Sequence, residues 1–436
     1  MAKTWEPQEL NPDIDVGEFA SKFDHTFQWT PAHLKGSELE KLRAIGDPLA
    51  DGALPHLVGP DSVDRLLDLV ATSNCPASVL EFYEQVNTEP DWICHEQIRR
   101  GQEFFWSYQP LCMATLLNAS LIGGFGARRI VSTLRCTNYL GREDTARRRL
   151  METALMVCDV MSFDMLRPGN HGWRSAVNVR LMHAQVRRHV LRLPSYNSKE
   201  DGIPVNQEDM LSTLIVFSAT VIFSLRRMGV NVTEEQAEDY IAAWRYIGYL
   251  LGITELHFFK SYARVIALYE SVMMHLLDPD ETCAQLAHNV LMSCSYKAPM
   301  HTTFHGSVAM TRFLLGHDWA DRLSLPRAPI HSLLVPYRIA FVRTAISFLV
   351  VVRKEWLMKR FQSYSYRAIN QVLQDKRPTY QLQTLPDDKP SQIPRFLLAS
   401  DTITLILFTT LFGFILLTII IPLSQLSLHH LFKLSL

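Results

Sequence analysis

Helical periodicity runs through most of this 436-residue chain and restricts the folds that are open to it. Apolar residues return at intervals of three and four over long segments, whereas the two-residue alternation of a strand is scarce. Glycine and proline separate the segments, as at Pro168, Pro194 and Gly202. We therefore expect an all-α fold. The predicted helices cover residues 62–70, 95–117, 127–139, 144–165, 173–191, 207–228, 234–251, 256–277, 282–293, 299–315 and 336–372.

One segment, residues 402–421, contains 20 residues and no charge. A helix of that length spans about 30 Å, the hydrocarbon thickness of a bilayer. A buried core helix is the alternative, but a polar, proline-bearing stretch precedes the segment and is typical of a linker. We therefore predict an N-terminal arm and one large helical domain, followed by a linker and a membrane anchor. Their ranges are 1–40 for the arm, 41–372 for the domain, 373–400 for the polar linker, 401–422 for the transmembrane helix and 423–436 for a short tail.

Two other apolar runs do not qualify as membrane spans. Residues 211–225 are too few to cross a bilayer and are predicted to form a buried helix. Arg338 and Arg343 interrupt residues 333–352, which predicts an amphipathic core helix or a membrane-surface helix. The sequence thus predicts a single-pass protein.

Composition narrows the function. The formal net charge of −1 argues against nucleic acid as a partner, because nucleic-acid binding needs a basic excess. The seven cysteines are scattered and form no CxxC pair, which favours reduced thiols in a cytosol-facing domain. The absence of CxxCH excludes covalently attached c-type haem. The first residues lack the apolar run of a secretory signal.

The predicted helix at 173–191 carries three cationic or titratable residues inside its apolar face. On a helical wheel, Arg180 and Arg187 lie within about 60° of His183, among valines and an alanine. A buried arginine needs an anionic partner, because an unpaired charge costs several kcal/mol in a low dielectric. Two interpretations stay open. Acidic side chains of neighbouring helices pair with the arginines, or the arginines bind an anionic cofactor and His183 ligates its metal.

The preceding predicted helix is apolar almost all round, with two carboxylates on one face. Glu152 and Asp159 are seven residues apart, and Arg149 lies three residues before Glu152. The carboxylates either neutralise the arginines of the next helix or take part in acid–base chemistry at a metal. The chain lacks the paired Glu-x-x-His motifs of di-iron proteins and the GxSxG of α/β-hydrolases.

Several motifs occur in an order that resembles one known family over about residues 40–260. The chain is similar to the rubber oxygenase (latex clearing protein) and ER-bound oxygenase family, which includes the MpaB-type enzymes. The motifs are GDPLAD from Gly46, GGFGA from Gly123, RLMET from Arg149, GW at Gly172, VRLMHAQVR from Val179, GIPVNQED from Gly202 and WRYIGYLLGI from Trp244.

The resemblance implies a globin-like helical core that holds a non-covalent haem b. His183 matches the proximal iron ligand, and Arg180 and Arg187 match the charged residues beside it. All three are thereby predicted to bind the cofactor, with His183 as the metal ligand.

The same resemblance implies a catalytic set on the preceding helix. Arg149 and Thr153 match an Arg-x-x-Lys-Thr segment of the haem pocket, but Glu152 stands where some rubber oxygenases have lysine. We therefore predict Glu152, Arg149 and Thr153 as catalytic residues, with Glu152 as a base or as a structural residue.

The implied reaction is oxidation of a lipophilic terpenoid or prenylated intermediate by dioxygen, with cleavage of a C=C bond, in specialised (secondary) metabolite biosynthesis. The implied location is the endoplasmic reticulum membrane, with the catalytic domain on the cytosolic side. Two alternatives are a hydroxylase or other redox enzyme on the same fold, and a membrane-tethered haem-binding or scaffold protein without turnover.

Overall fold

The structure is a computed structural model that describes residues 14–57, 62–137, 140–141, 143–297 and 301–373. These residues are mostly helical, which confirms the predicted fold class at that level. The predicted transmembrane helix and tail lie outside the described residues, as does the linker beyond Leu373.

Within the described ranges, one short hairpin precedes a long series of helices. A π-helical turn, Leu116–Leu121, joins α6 to α7, and a 3₁₀ turn, Leu256–Lys260, joins α14 to α15. The hairpin is β1 (Phe19–Lys22) and β2 (His25–Gln28), and the helices are α1 (Gly36–Arg43), α2 (Pro48–Leu57), α3 (Ser62–Val70), α4 (Ala77–Asn87), α5 (His95–Ser107), α6 (Gln109–Thr115), α7 (Ile122–Gly124), α8 (Arg128–Thr137), α9 (Glu143–Val160), α10 (His171–Val190), α11 (Ser198–Asp201), α12 (Gln207–Phe217), α13 (Ala219–Arg227), α14 (Glu234–Leu250), α15 (Tyr262–Leu276), α16 (Glu281–Cys294), α17 (Phe304–Leu315), α18 (His317–Arg322) and α19 (Pro329–Leu373).

Part of the predicted N-terminal arm is ordered against the helices. The strands β1 and β2 pair antiparallel, with Ala20 opposite Phe27. Phe27 and Trp29 are buried, and the Nε2 of His33 lies 2.9 Å from Glu270 Oε2 on α15. The hairpin therefore packs on the helical body rather than extending from it.

Two predicted helices are each divided in the structure. Residues 207–228 form α12 and α13, which are separated at Ser218, where φ and ψ are −110° and −80°. The Ser218 hydroxyl donates to Leu214 O at 2.7 Å, and the same carbonyl accepts from the Ser218 amide at 3.1 Å. Residues 95–117 form α5, α6 and the start of the π-helical turn, with a change of direction at Tyr108.

The last described helix, α19, is 45 residues long and lies along the surface of the bundle. Its backbone departs from helical geometry at Arg353, where φ is −146°. One face packs against α5, α9 and α17 and buries Val335, Ile339 and Ile346.

Among the described residues, two segments are long and apolar enough to cross a bilayer. They are Gln207–Arg227 and Pro329–Leu373. Within the most apolar 18-residue stretch of each, 78% of the residues are buried in the first segment and 17% in the second. The first is the core helix pair α12 and α13, whereas few residues of the second are fully buried.

Candidate functional site

Helices α9 and α10 run antiparallel and form the framework of the candidate site. Near one end, Arg149 Nη2 lies 3.9 Å from Met182 Sδ. Near the other, the Ser175 hydroxyl donates to Asp159 Oδ2 at 2.6 Å. A Cβ on Gly172 would lie 2.6 Å from Asp159 O, so only glycine permits this approach of the two helices.

A large cavity of about 1140 Å³ lies beside these two helices. It exceeds the range of about 300–1,000 Å³ that is typical of ligand sites. Most of its walls are apolar, from residues such as Val157, Val179 and Leu277. Four of the six predicted site residues line this cavity, and they are Arg149, Glu152, Thr153 and His183.

His183 faces the cavity from the middle of α10. Its Nδ1 is buried and has no hydrogen-bond partner among the described residues. Burial, together with the positive charges of Arg187 and Arg149, lowers the pKa of His183 to about 4, and the negative charge of Asp47 opposes this shift. The imidazole is therefore neutral at neutral pH, and a neutral imidazole has the lone pair that a metal requires.

Arg180 and Arg187 pair with two carboxylates at the start of α2, Asp47 immediately before the helix and Asp51 within it. Arg180 donates from Nε to Asp47 Oδ2 at 2.6 Å and from Nη2 to Asp47 Oδ1 at 3.0 Å, and it also contacts Gln85. Arg187 donates from Nε to Asp51 Oδ2 at 2.9 Å and from Nη1 to the carbonyl of Val205 at 2.8 Å. Of the two interpretations left open by the sequence, acidic partners on a neighbouring helix hold for both arginines.

These contacts also bear on the predicted role of Arg180 and Arg187 in cofactor binding. Neither arginine is among the residues that line the cavity. Direct binding of a cofactor by Arg180 and Arg187 stays a prediction, and the contacts favour a positioning role in which both fix α10.

Glu152 on α9 has local partners rather than the arginines of α10. Glu152 accepts from Arg148 Nε at 3.0 Å and from Arg149 Nη1 at 2.6 Å. Thr153 donates to the carbonyl of Arg149 at 3.0 Å. Because both oxygens of Glu152 are engaged, the arrangement fixes the guanidinium of Arg149 at the edge of the cavity.

Asp159 holds the other end of α9. Its Oδ1 accepts from the hydroxyl of Tyr366 at 2.9 Å, and its Oδ2 lies 3.2 Å from Nδ1 of His171. With Ser175 as a third partner, this buried carboxylate joins α9 to α10 and α19. The proposed pairing of Asp159 with the arginines of α10 is therefore wrong, because Asp159 sits at the opposite end of the helix pair.

Sequence reasoning missed three acidic residues at the site, which are Asp47, Asp51 and Asp209. Asp47 precedes Pro48 and accepts from the Ala50 amide at 3.2 Å, which is the pattern of a helix N-cap followed by proline. That signal locates α2, but it does not identify Asp47 and Asp51 as partners of α10.

Asp209, the third, lines the cavity from α12. Burial raises the pKa of Asp209 to about 6, although Arg43 opposes the shift through an Nη1–Oδ1 contact of 3.0 Å. The π-helical turn Leu116–Leu121 also lines the cavity, and such turns are frequent at functional sites.

In the part of the chain that the structure describes, no three or more histidine, cysteine or carboxylate side chains cluster in a way that holds a metal ion. A metal held by a macrocycle needs only one protein ligand and requires no such cluster, so His183 as the metal ligand stays a prediction.

Comparison with known proteins defines the class. The family model "ER-bound oxygenase mpaB/B'/Rubber oxygenase, catalytic domain" matches residues 126–347, which is just over half of the chain and includes α9, α10 and the segment that carries His183. The chain therefore belongs to this family.

Two individual proteins make the likeness specific. The rubber oxygenase of Streptomyces sp. (strain K30) is 22% identical over 298 residues, which are 67% of this chain and 72% of that protein. The solved structure of Latex Clearing Protein LCP in the closed state superposes with a TM-score of 0.58 at 19% identity, and covers 74% of this chain and 91% of the solved one. This superposition supports a shared fold.

Proposed function

We propose that this protein is a haem b-dependent oxygenase that oxidises a lipophilic terpenoid or prenylated compound, with cleavage of a C=C bond. The observation that carries the proposal is the neutral imidazole of His183, whose Nδ1 has no partner in the described structure, on the wall of a large apolar cavity. Family membership supports the oxygenase class.

The residues present fit a haem group. The cavity is larger than a typical small-ligand site, so it has room for a broad planar group and for a substrate beside it. Its apolar walls suit a porphyrin, and the low pKa of His183 keeps the imidazole from being protonated in competition with iron. When bound, haem would supply the redox-active iron for chemistry with dioxygen.

The chain's own residues would then orient the reactants. His183 would hold the iron from one side, and α2 would fix the height and rotation of α10 through Asp47–Arg180 and Asp51–Arg187. Arg149, held by Glu152, would place a positive charge at the cavity edge, where it would stabilise negative charge on a reactant. The apolar walls would exclude water from that region.

A lipophilic substrate is consistent with the cavity and with the known relative. The name rubber oxygenase states that the Streptomyces protein acts on rubber, a polyisoprene, and the apolar walls here suit an isoprenoid chain. The proposal extends to a place in specialised metabolism at the endoplasmic reticulum membrane. There, the uncharged segment 402–421 would anchor the protein with its catalytic domain in the cytosol.

Oxygen consumption by the purified full-length protein tests the proposed activity. With haem supplied and a prenylated substrate in detergent, we expect oxygen uptake with formation of carbonyl products. His183→Ala abolishes it, and His189→Ala, on the exposed face of the same helix, retains it. Uptake with hydroxylated products would support a hydroxylase instead. Bound haem without any oxygen uptake would support a haem-binding or scaffold protein.

A further inference from the structure

The outer face of α19 is apolar in a pattern that is typical of a helix with a second partner. Nine of the seventeen large apolar side chains that are exposed among the described residues lie on this one helix. Six of them, here called the outer stripe, recur within about 100° of one another on a helical wheel. The outer stripe consists of Ile330, Leu333, Phe341, Phe348, Val351 and Val352, with exposed fractions between 53% and 86%.

The opposite face of the same helix forms a wall of the cavity. Ile339 and Val342 line the cavity, and Ile339 is almost completely buried. Further along α19, Arg360 and Tyr364 also line the cavity and are exposed, so the cavity reaches the protein surface beside this helix. A single helix thus separates the apolar cavity from an apolar exterior.

The charge of α19 is opposite to that of the rest of the chain. The helix carries seven arginines and lysines and one glutamate, Glu355, which gives a formal charge of +6 with histidine neutral. The whole chain has a formal charge of −1, so the remainder is at −7. Trp356 and Tyr364, 48% and 56% exposed, lie among these basic residues. Aromatic and basic side chains beside an apolar stripe are typical of helices at the surface of an anionic bilayer.

We propose that the outer stripe of α19 lies in the surface of an anionic bilayer, so that the cavity receives lipophilic compounds from the membrane. The helix lies in the surface and does not cross it, because its inner face is buried on the helical bundle. The proposed membrane docking is inferred only from the exposure of the outer stripe and the charge of α19. The role in substrate access rests on the proposed function.

Two other occupants fit the stripe less well. A second copy would bring together two helices that each carry +6, and such like charges oppose association. As a helix, the uncharged segment 402–421 would have apolar residues on every side, so one stripe would cover only part of it and leave the rest in water. A bilayer covers both the stripe and that segment.

Site-specific photocrosslinking of the full-length protein tests the docking without any requirement for activity. p-Benzoylphenylalanine replaces Phe348 in the stripe or, as a matched control, Phe19, which is 74% exposed on the hairpin. The proteins are reconstituted in phosphatidylcholine vesicles with and without phosphatidylserine. We expect lipid adducts from position 348 at several times the yield from position 19, and a higher yield with phosphatidylserine.

Adducts from position 348 to a second chain or to residues 402–421 would overturn the proposal, as would equal lipid yields from the two positions. A second measurement tests substrate access. Phe341→Ser with Phe348→Ser is expected to slow oxygen uptake with substrate in vesicles but not in detergent micelles. Equal rates in vesicles would overturn the access role. Lipid crosslinking in a protein that consumes no oxygen would contradict the proposed function alone.

Discussion

Asp47 and Arg180 form a buried bidentate ion pair that joins α2 to α10 three residues before His183. The two bonds measure 2.6 and 3.0 Å, and the two residues are 4% and 2% exposed. Gly252, which has a positive φ of 84°, packs directly against both members of this pair. The position of the candidate iron ligand therefore depends on a contact with a helix far away in the sequence.

Asp47→Asn should destabilise the fold substantially. Asparagine keeps the N-cap acceptor for α2 but leaves Arg180 as a buried charge without its counterion, which costs about 3 kcal/mol or more. Asp51→Asn is the comparison variant, because the Asp51 side chain is 39% exposed although Arg187 is only 3% exposed, so water reaches one side of that pair and the loss there should be smaller. Denaturant unfolding of both variants checks this expectation. A loss at Asp47 no larger than that at Asp51 would contradict it.

Alanine at Gly252 should cost more than alanine at another glycine with the same backbone. Gly169 and Gly252 have φ values of 83° and 84°, so both substitutions carry the same backbone strain, about 1–2 kcal/mol. A Cβ at Gly252 would also lie 2.4 Å from Asp47 Oδ2 and 2.5 Å from Arg180 Nε, whereas a Cβ at Gly169 meets nothing within 4 Å. We expect the free energy of unfolding to fall at least twice as far for Gly252→Ala. Equal losses of unfolding free energy would show that the Asp47–Arg180 pair can move away from the added Cβ without a loss of stability.

Asp209 should make stability fall as pH rises near neutrality. Its pKa in the folded protein is raised to about 6 from an ordinary 3.8, so between these values the folded protein binds a proton that the unfolded chain has released. The resulting stability is present below the unfolded pKa and is lost as pH rises through 6. From pH 5 to 7 the stability of the natural protein relative to Asp209→Asn should fall by about 1 kcal/mol. Thermal or denaturant unfolding at several pH values measures this difference, and a constant or rising difference would refute it.

Glu152→Gln separates a positioning residue from a base. If Glu152 acts by holding Arg149, glutamine keeps one acceptor, and kcat/KM falls about tenfold, or about 1.4 kcal/mol, with an unchanged pH profile. A base would instead contribute about 100-fold or more, and its loss would remove the acidic limb of the profile. Steady-state rates across pH decide between the roles, and unchanged turnover would leave Glu152 with a structural role only.

The helical class and the special position of His183 follow from local patterns. Spacings of three and four residues define the faces of α9 and α10, and the wheel places His183, Arg180 and Arg187 together on the inner face of α10. In the structure both arginines are buried and His183 lines the cavity. The part of the site that the sequence did not predict also has a physical reason. Helix α2 contains Pro55 in its interior, which weakens its helical signal.

The partner of Arg180 is out of reach of any local pattern, because Asp47 lies 133 residues earlier in the chain. For the same reason the carboxylates of α9 were natural but incorrect candidates, since they lie on the nearest helix in sequence. Likewise, periodicity distinguishes an apolar face from a polar one, but it does not tell which apolar face of α19 meets the protein.

The most direct test of the central claim is the absorption spectrum of the full-length protein, purified with adequate haem supply. We predict a Soret band that is lost in His183→Ala and retained in His189→Ala, because His183 faces the cavity and His189 is exposed on the other side of α10. Absence of a Soret band from the natural protein, or its full retention in His183→Ala, would contradict the assignment of His183 as the iron ligand.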